Sequence, residues 1–152
     1  MPQARFMKMA IASARRGIAA GQFPYGAAIV RRGKLLGCAH NIVVQAGDPT
    51  MHAEVHVIRN VCEKLQTTDL TGCAIYCTCE PCAMCMGACC FARISAIYFG
   101  AGIEDKFSFG LPDPGVGASV IGRLIPQPPK IVPGFMREQC MELFRAYIKR
   151  QC

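Results

Sequence analysis

Cys77-Thr-Cys-Glu-Pro-Cys-Ala-Met-Cys-Met-Gly-Ala-Cys-Cys90 carries six of the eleven cysteines of this 152-residue chain. Thiolates two and three residues apart are what a zinc or iron–sulfur site requires. The run Cys73-Ala-Ile-Tyr-Cys-Thr that leads into it reads as a buried strand. Pro81 suits the first turn of a helix, because it fixes φ and lacks an N–H not needed there, so a helix is predicted over 82–92. Cys82 and Cys85 then stand at i and i+3 on one helix face, in the positive potential of the N-terminus that favours thiolates. Two sulfurs do not complete a zinc site: structural zinc takes four ligands, catalytic zinc three and a water. A further ligand must come from elsewhere.

Upstream, His52-Ala-Glu54 lies 30 residues before Cys82, at the start of a second predicted helix after Pro49. Val55, Ile58, Cys62 and Leu65 recur there at helical spacing, and Asp48 or Thr50 can cap it. His52 supplies a ligand of the right softness, and Glu54 is better placed to touch a metal-bound water than the metal. Earlier still, Gln3 to Ala20 reads as a helix using Phe6, Met9, Ala10 and Ile18, stopped by Gly21. The two apolar runs around Arg31-Arg32-Gly33 predict a β-hairpin turning at Gly33. Asn41 to Pro49 reads as a loop. Downstream, Ile94 to Gly100 is a strand, and Lys130-Ile-Val132 a short one. The proline-rich Gly110–Gly134 stretch is predicted as a long ordered loop over the site, and Phe135 to Lys149 as a closing amphipathic helix with Met136, Cys140, Leu143, Phe144 and Tyr147 inward. The alternation predicts one α/β domain over 1–152 around one sheet.

Composition narrows the class. At 52% hydrophobic and 18% charged, the chain is globular, with no apolar run of membrane-spanning length. Met1-Pro-Gln-Ala-Arg-Phe lacks the apolar core of a signal peptide, which predicts a soluble cytoplasmic protein with reduced thiols rather than a disulfide framework. Cys38, Cys62, Cys73 and Cys140 read as small core residues. The net charge of +7 permits a polyanionic partner without requiring one.

Three rival sites can be weighed. Cys79, Cys82, Cys85 and Cys89 match the spacing of a bacterial ferredoxin cluster, yet Cys90 stands where the proline belongs, and His52 and Glu54 are left without a role. His52-Ala-Glu-Val-His56 has two histidines at i and i+4, but its Glu is one place too late for a zinc-protease helix; His56 and His40 read as structural. A purely structural zinc site has no use for Glu54. His-x-Glu with Pro-Cys-x-x-Cys is instead the zinc deaminase signature.

At these residues the chain resembles the cytidine deaminase-like superfamily, most closely the branch of guanine deaminases and tRNA adenosine deaminases. The resemblance runs from Phe23-Pro-Tyr-Gly-Ala through Asn41, Asp48-Pro-Thr-Met-His-Ala-Glu54 and Glu80-Pro-Cys-Ala-Met-Cys85 to Ala92-Arg-Ile and Phe99-Gly. It implies a three-layer α/β/α fold with a central five-stranded mixed sheet, and a homodimer. It further implies zinc on His52, Cys82 and Cys85, with water in the fourth place, and Glu54 as proton carrier. Asn41, Tyr25 and Ala53 fall at the substrate, and the N–H groups at Cys82 help to stabilise charge.

The resemblance points two ways on the base. Phe23-Pro-Tyr-Gly is similar to guanine deaminases, and Asp113 falls where they carry a second acid assisting proton transfer; a turn aspartate between prolines is the plainer reading. The C-terminus, Lys149-Arg-Gln-Cys152, lacks the aromatic residue that caps the pocket in some of them. Phe99-Gly100-Ala and the basic Arg145, Lys149 and Arg150 resemble tRNA enzymes, whereas Glu104-Asp105, expected near the site mouth, would oppose RNA phosphates. The expectation is conversion of guanine to xanthine and ammonia. The alternatives are adenosine in tRNA, or cytosine, a nucleoside or another amino-heterocycle.

Overall fold

Arg32-Gly33 sets the first hairpin. Both residues have positive φ, 49° and 72°, the two-residue turn whose twist matches that of the flanking strands. β1 (Gly26–Arg31) thereby pairs antiparallel with β2 (Lys34–His40). The computed structural model describes residues 1–152, and continues the sheet with β3 (Cys73–Cys79), β4 (Ala96–Ala101) and β5 (Lys130–Val132). The spatial order is β2-β1-β3-β4-β5, with β1 and β3 antiparallel and β3, β4 and β5 parallel.

Each face of the sheet buries one core. Along β1, Ala28 and Val30 join α1 (Ala4–Ala19) and α7 (Arg137–Gln151) on one side. Ala27 and Ile29 point the other way, to α3 (Ala53–Leu65), α4 (Ala83–Phe91) and α6 (Ala118–Leu124). This is the three-layer α/β/α arrangement with a five-stranded mixed sheet. α1 lies hard against the sheet: a Cβ on Gly26 would sit 2.1 Å from the Ala10 carbonyl oxygen.

Topology gathers the site at one end of the strands. β3 ends there at Cys79, β1 starts there after Tyr25, and β2 ends there before Asn41. Thr78 Oγ1 accepts the Gly26 N–H at 3.0 Å, and the Tyr25 carbonyl accepts the Asn41 N–H at 3.0 Å. The carboxyl ends of parallel strands are where open α/β sheets leave a crevice.

Several boundaries differ from the sequence reading. The Asn41–Pro49 loop contains a short helix, α2 (Val43–Ala46), because Asn41 Oδ1 accepts the Val43 N–H at 3.0 Å. His52, not Asp48 or Thr50, is the N-cap of α3; the Asp48 carboxylate is turned back onto the Thr50 N–H and hydroxyl. The fully buried stripe of α3 is Ala53, Glu54, Val57 and Val61, one step round from the expected residues, of which Ile58, Cys62 and Leu65 are only half-buried. On α1, Met9 is exposed and Met7, Ile11 and Ala14 are inside. Pro81 precedes α4 rather than opening its first turn, and its carbonyl accepts the Ala118 N–H at 2.8 Å. The segment after β4 holds α5 (Ile103–Ser108), and the proline-rich stretch holds α6. Neither is long or strongly amphipathic enough to be read from spacing. Of the cysteines taken as core residues, Cys73 and Cys140 are buried, while Cys38 and Cys62 are half-buried. No helix is long and apolar enough to cross a membrane.

Candidate active site

Two helix starts and one strand end meet here. His52 caps α3 with extended backbone, so its imidazole leaves the helix axis towards α4. Cys82 caps α4, and Cys85 lies one turn on, facing the same way. His52 Nδ1 lies 3.7 Å from Cys82 Sγ and 3.5 Å from Cys85 Sγ. The ligand atoms of the three all fall within 4.8 Å of one another. A tetrahedral zinc with ordinary Zn–N and Zn–S bonds puts its nitrogen and sulfur ligands about 3.5 Å apart. The borderline-soft donor set and its spacing therefore fit zinc with one position left open. The hydrogen bond with Cys85 lowers the Cys82 thiol to about 4, whereas Cys82 and burial raise that of Cys85.

Glu54 occupies the first turn of α3 on its buried face. Its Oε2 lies 3.4 Å from Cys85 Sγ, so the carboxylate borders the ligand trio without being needed in it. Burial raises its carboxyl above the usual carboxylate range, opposed by the neighbouring imidazole of His52. A buried carboxyl of this kind, beside an open metal position, is a group that can take a proton and return it.

Above the trio lies a cavity of about 510 Å³, the size of a small-molecule site, with Asn41, Tyr25, His52, Cys82, Lys106 and Asp113 in its lining. Glu54 lines a small recess of about 20 Å³ beneath it, shared with Tyr25, Lys106 and Asp113. Asn41 is buried, and its carbonyl oxygen is committed to Val43, which leaves its amide N–H groups for the cavity. Burial, with nearby anionic groups, pushes the Tyr25 phenol well above its ordinary range, so it remains a neutral hydroxyl. The Ala53 side chain goes instead into the lower core and does not line the cavity. His56 and His40 have structural partners: His56 Nδ1 bonds the His40 carbonyl at 2.9 Å, and His40 Nδ1 the Asn41 carbonyl at 2.8 Å. Cys77, Cys79 and Cys89 are buried outside the trio, their thiols raised chiefly by burial.

Two residues that shape the site carry no signal of their own in the sequence. Lys106 on α5 is almost wholly buried, and its ammonium donates to Asp113 Oδ2 at 2.6 Å. Ile103 and Lys106 share the inner face of α5, so an i, i+3 reading would have found it had the helix been recognised. Glu80 is the other: its carboxylate accepts the Ile103 N–H at 3.3 Å and the Ser119 N–H at 2.9 Å, stapling the starts of α5 and α6 beside Pro81. Glu104 and Asp105 are not at the mouth of the zinc cleft. They line a separate groove of about 730 Å³ beyond Glu80, where Asp105 is paired with Arg137.

Residues 1–101 match the family described as the cytidine and deoxycytidylate deaminase zinc-binding region. The chain belongs to this family. It is a zinc-binding deaminase, and its relatives divide by substrate. The tRNA-specific adenosine deaminase of Aquifex aeolicus is 43% identical over 96 residues, covering 63% of this chain and 64% of that protein, just under two thirds of its length. The guanine deaminase of Bacillus subtilis is 40% identical over 109 residues, 71% of this chain and 70% of that one. The solved guanine deaminase from Nitrosomonas europaea superposes with a TM-score of 0.86 at 26% identity, over 97% of this chain and 84% of its own. The two kinds of relative are equally close, so descent leaves the base open.

Proposed function

We propose that this deaminase acts on a free nucleobase, and that guanine is its substrate, hydrolysed to xanthine and ammonia. The supporting observation is the charge of the cavity. Its lining holds one cation, Lys106, and that ammonium is already paired with Asp113. An RNA substrate needs basic groups around the mouth to hold its phosphates. The basic residues of α7 do not line the cavity, and two of them are engaged: Arg145 with Glu138 and Glu142, and Arg150 with the Ala19 carbonyl.

His52, Cys82 and Cys85 hold the zinc. Bound there, zinc would acidify a water to a pKa of about 7 and make it the nucleophile. Glu54 takes a proton from the nucleophile, delivers it to a ring nitrogen of the base, and helps protonate the departing ammonia. Asn41 donates its free amide N–H to the edge of the base, and the Tyr25 ring borders its face. Asp113, the second carboxylate of the cavity, assists proton transfer at the far side of the ring. Asp113→Asn should slow guanine deamination by roughly tenfold or more with zinc retained; an unchanged rate would return Asp113 to a turn residue.

A tRNA adenosine deaminase is the second reading. It is favoured by the net charge of +7 and by an apolar rim of Phe23, Val43, Pro49 and Met84 on which flanking bases could stack. Ammonia release from guanine, adenine, cytosine, their nucleosides and a tRNA anticodon stem-loop decides between them. Turnover of guanine alone is expected; turnover of the RNA alone would overturn the proposal.

We also propose that the protein is a homodimer through α4 and α6, which lie side by side and leave Met84, Phe91, Val120 and Leu124 in solvent.

A further inference from the structure

Lys106 is the one ammonium buried in this molecule, and it is buried in the wall of the active cavity. Its position is built rather than accidental. Asp113 Oδ2 holds it at 2.6 Å, and Asp113 is itself fixed by the Gly115 N–H on Oδ1 at 2.8 Å. The Tyr25 ring lies 4.8 Å from the ammonium nitrogen, so its π-face also favours the cation. Glu80 fixes the start of the helix that carries Lys106. A pair this buried is costly to desolvate and is weak support for stability alone. Placed where it lines both the cavity and the recess at Glu54, it offers something to a ligand.

An ammonium has three N–H donors, and Asp113 uses one. A carboxylate has about four lone-pair sites, and the Lys106 and Gly115 bonds take two. The pair therefore presents a charged donor and a charged acceptor side by side. That arrangement complements a lactam edge, in which a ring N–H stands next to an exocyclic C=O. Adenine carries the reverse order, a ring acceptor beside an amino donor. We infer that Lys106 is the specificity-determining residue of the cavity: it donates to the exocyclic oxygen of an oxo-base, while Asp113 positions it and accepts the adjacent ring N–H. The inference rests on the free-base reading above and deepens it, by giving the class of base as one with a lactam edge.

The test compares guanine with 2-aminopurine, which keeps the 2-amino group and lacks the lactam. Binding is measured in the zinc-loaded Glu54→Gln protein, so that neither ligand is consumed. Guanine should bind tighter by roughly tenfold or more, the range of a hydrogen bond to a charged group. Adding Lys106→Met should close that gap to within about twofold, while Lys106→Arg, which keeps a charged donor, should preserve most of it. If the methionine variant loses zinc, Lys106→Gln is read in its place, with partial closure expected. A gap that survives the loss of the ammonium places recognition on Asn41 and overturns the inference, as does a protein that binds neither base. Turnover is assayed separately on the unsubstituted enzyme. Absence of guanine deamination with the Lys106-dependent gap intact would sink the proposed substrate and leave the inference standing.

Discussion

At the scale of single residues, the site separates holding a metal from using it. Glu54 sits two residues after His52 and beside Cys85, yet His52, Cys82 and Cys85 can hold zinc without it. Glu54→Gln should therefore keep about one zinc per chain and lose on the order of 10²–10⁴ in turnover, read by metal analysis and ammonia release on the same sample. Robust activity in that variant would remove Glu54 from the mechanism. The cysteines divide the same way. Cys85→Ala should abolish stoichiometric zinc, because one sulfur and one imidazole do not hold it. Cys89→Ala, one turn further along α4 and fully buried, should leave zinc in place and cost stability only. Zinc retained by the first or lost by the second would reassign the ligands.

At the scale of elements, legibility followed the length and regularity of each segment. The hairpin is readable because Arg32-Gly33 must turn, α1, α3 and α7 because apolar spacing marks them, and α4 because Pro81 announces its start. Their exact faces are not. Glu54 points inward on α3 because that face is the one turned to α4 and the metal, which no hydropathy count records. α5, six residues long, is too short to read from spacing, and with it the buried Lys106; its charged neighbours Glu104 and Asp105 face the other groove. Gly26 gives an element-scale prediction. Gly26→Ala would force a methyl onto the Ala10 carbonyl and separate α1 from β1. Overpacking of this kind costs about 1–3 kcal/mol, so thermal unfolding should fall by roughly 3–10 °C. An unchanged Tm would mean that α1 gives way without cost. The link from α5 to α7 is electrostatic. Arg137 holds Asp105 below the ordinary carboxylate range, so the bond contributes stability above the unfolded carboxylate pKa of about 4. That contribution is lost as pH falls through the depressed folded value. The Tm difference between the wild type and Asp105→Asn should be small, since the pair is partly exposed, present at neutral pH and absent in acid. A difference that grows on acidification would contradict the assignment.

At the scale of the whole molecule, the sheet brings the candidate site to one end of its strands, and the two helices that start there carry an apolar surface. Phe91 is 91% exposed at the end of α4 and Leu124 75% exposed at the end of α6. The antiparallel bridge between Cys82 and Gly117 ties the starts of those same two helices together. The proposed dimer face runs from Met84 and Val120, near those starts, to Phe91 and Leu124 at the far ends of the two helices. Phe91→Asp should convert a dimer into a monomer by light scattering, since it buries an unpaired carboxylate in an apolar contact. If the interface steadies the two helix starts, the monomer should keep its zinc while KM for the base rises severalfold, because the cavity-lining segment after Gly110, which leads into α6, loses its support. A variant that stays dimeric would move the interface elsewhere. A monomer with unaltered KM would show that each subunit builds its cavity alone, as the intrachain Lys106–Asp113 pair already does for one wall of it.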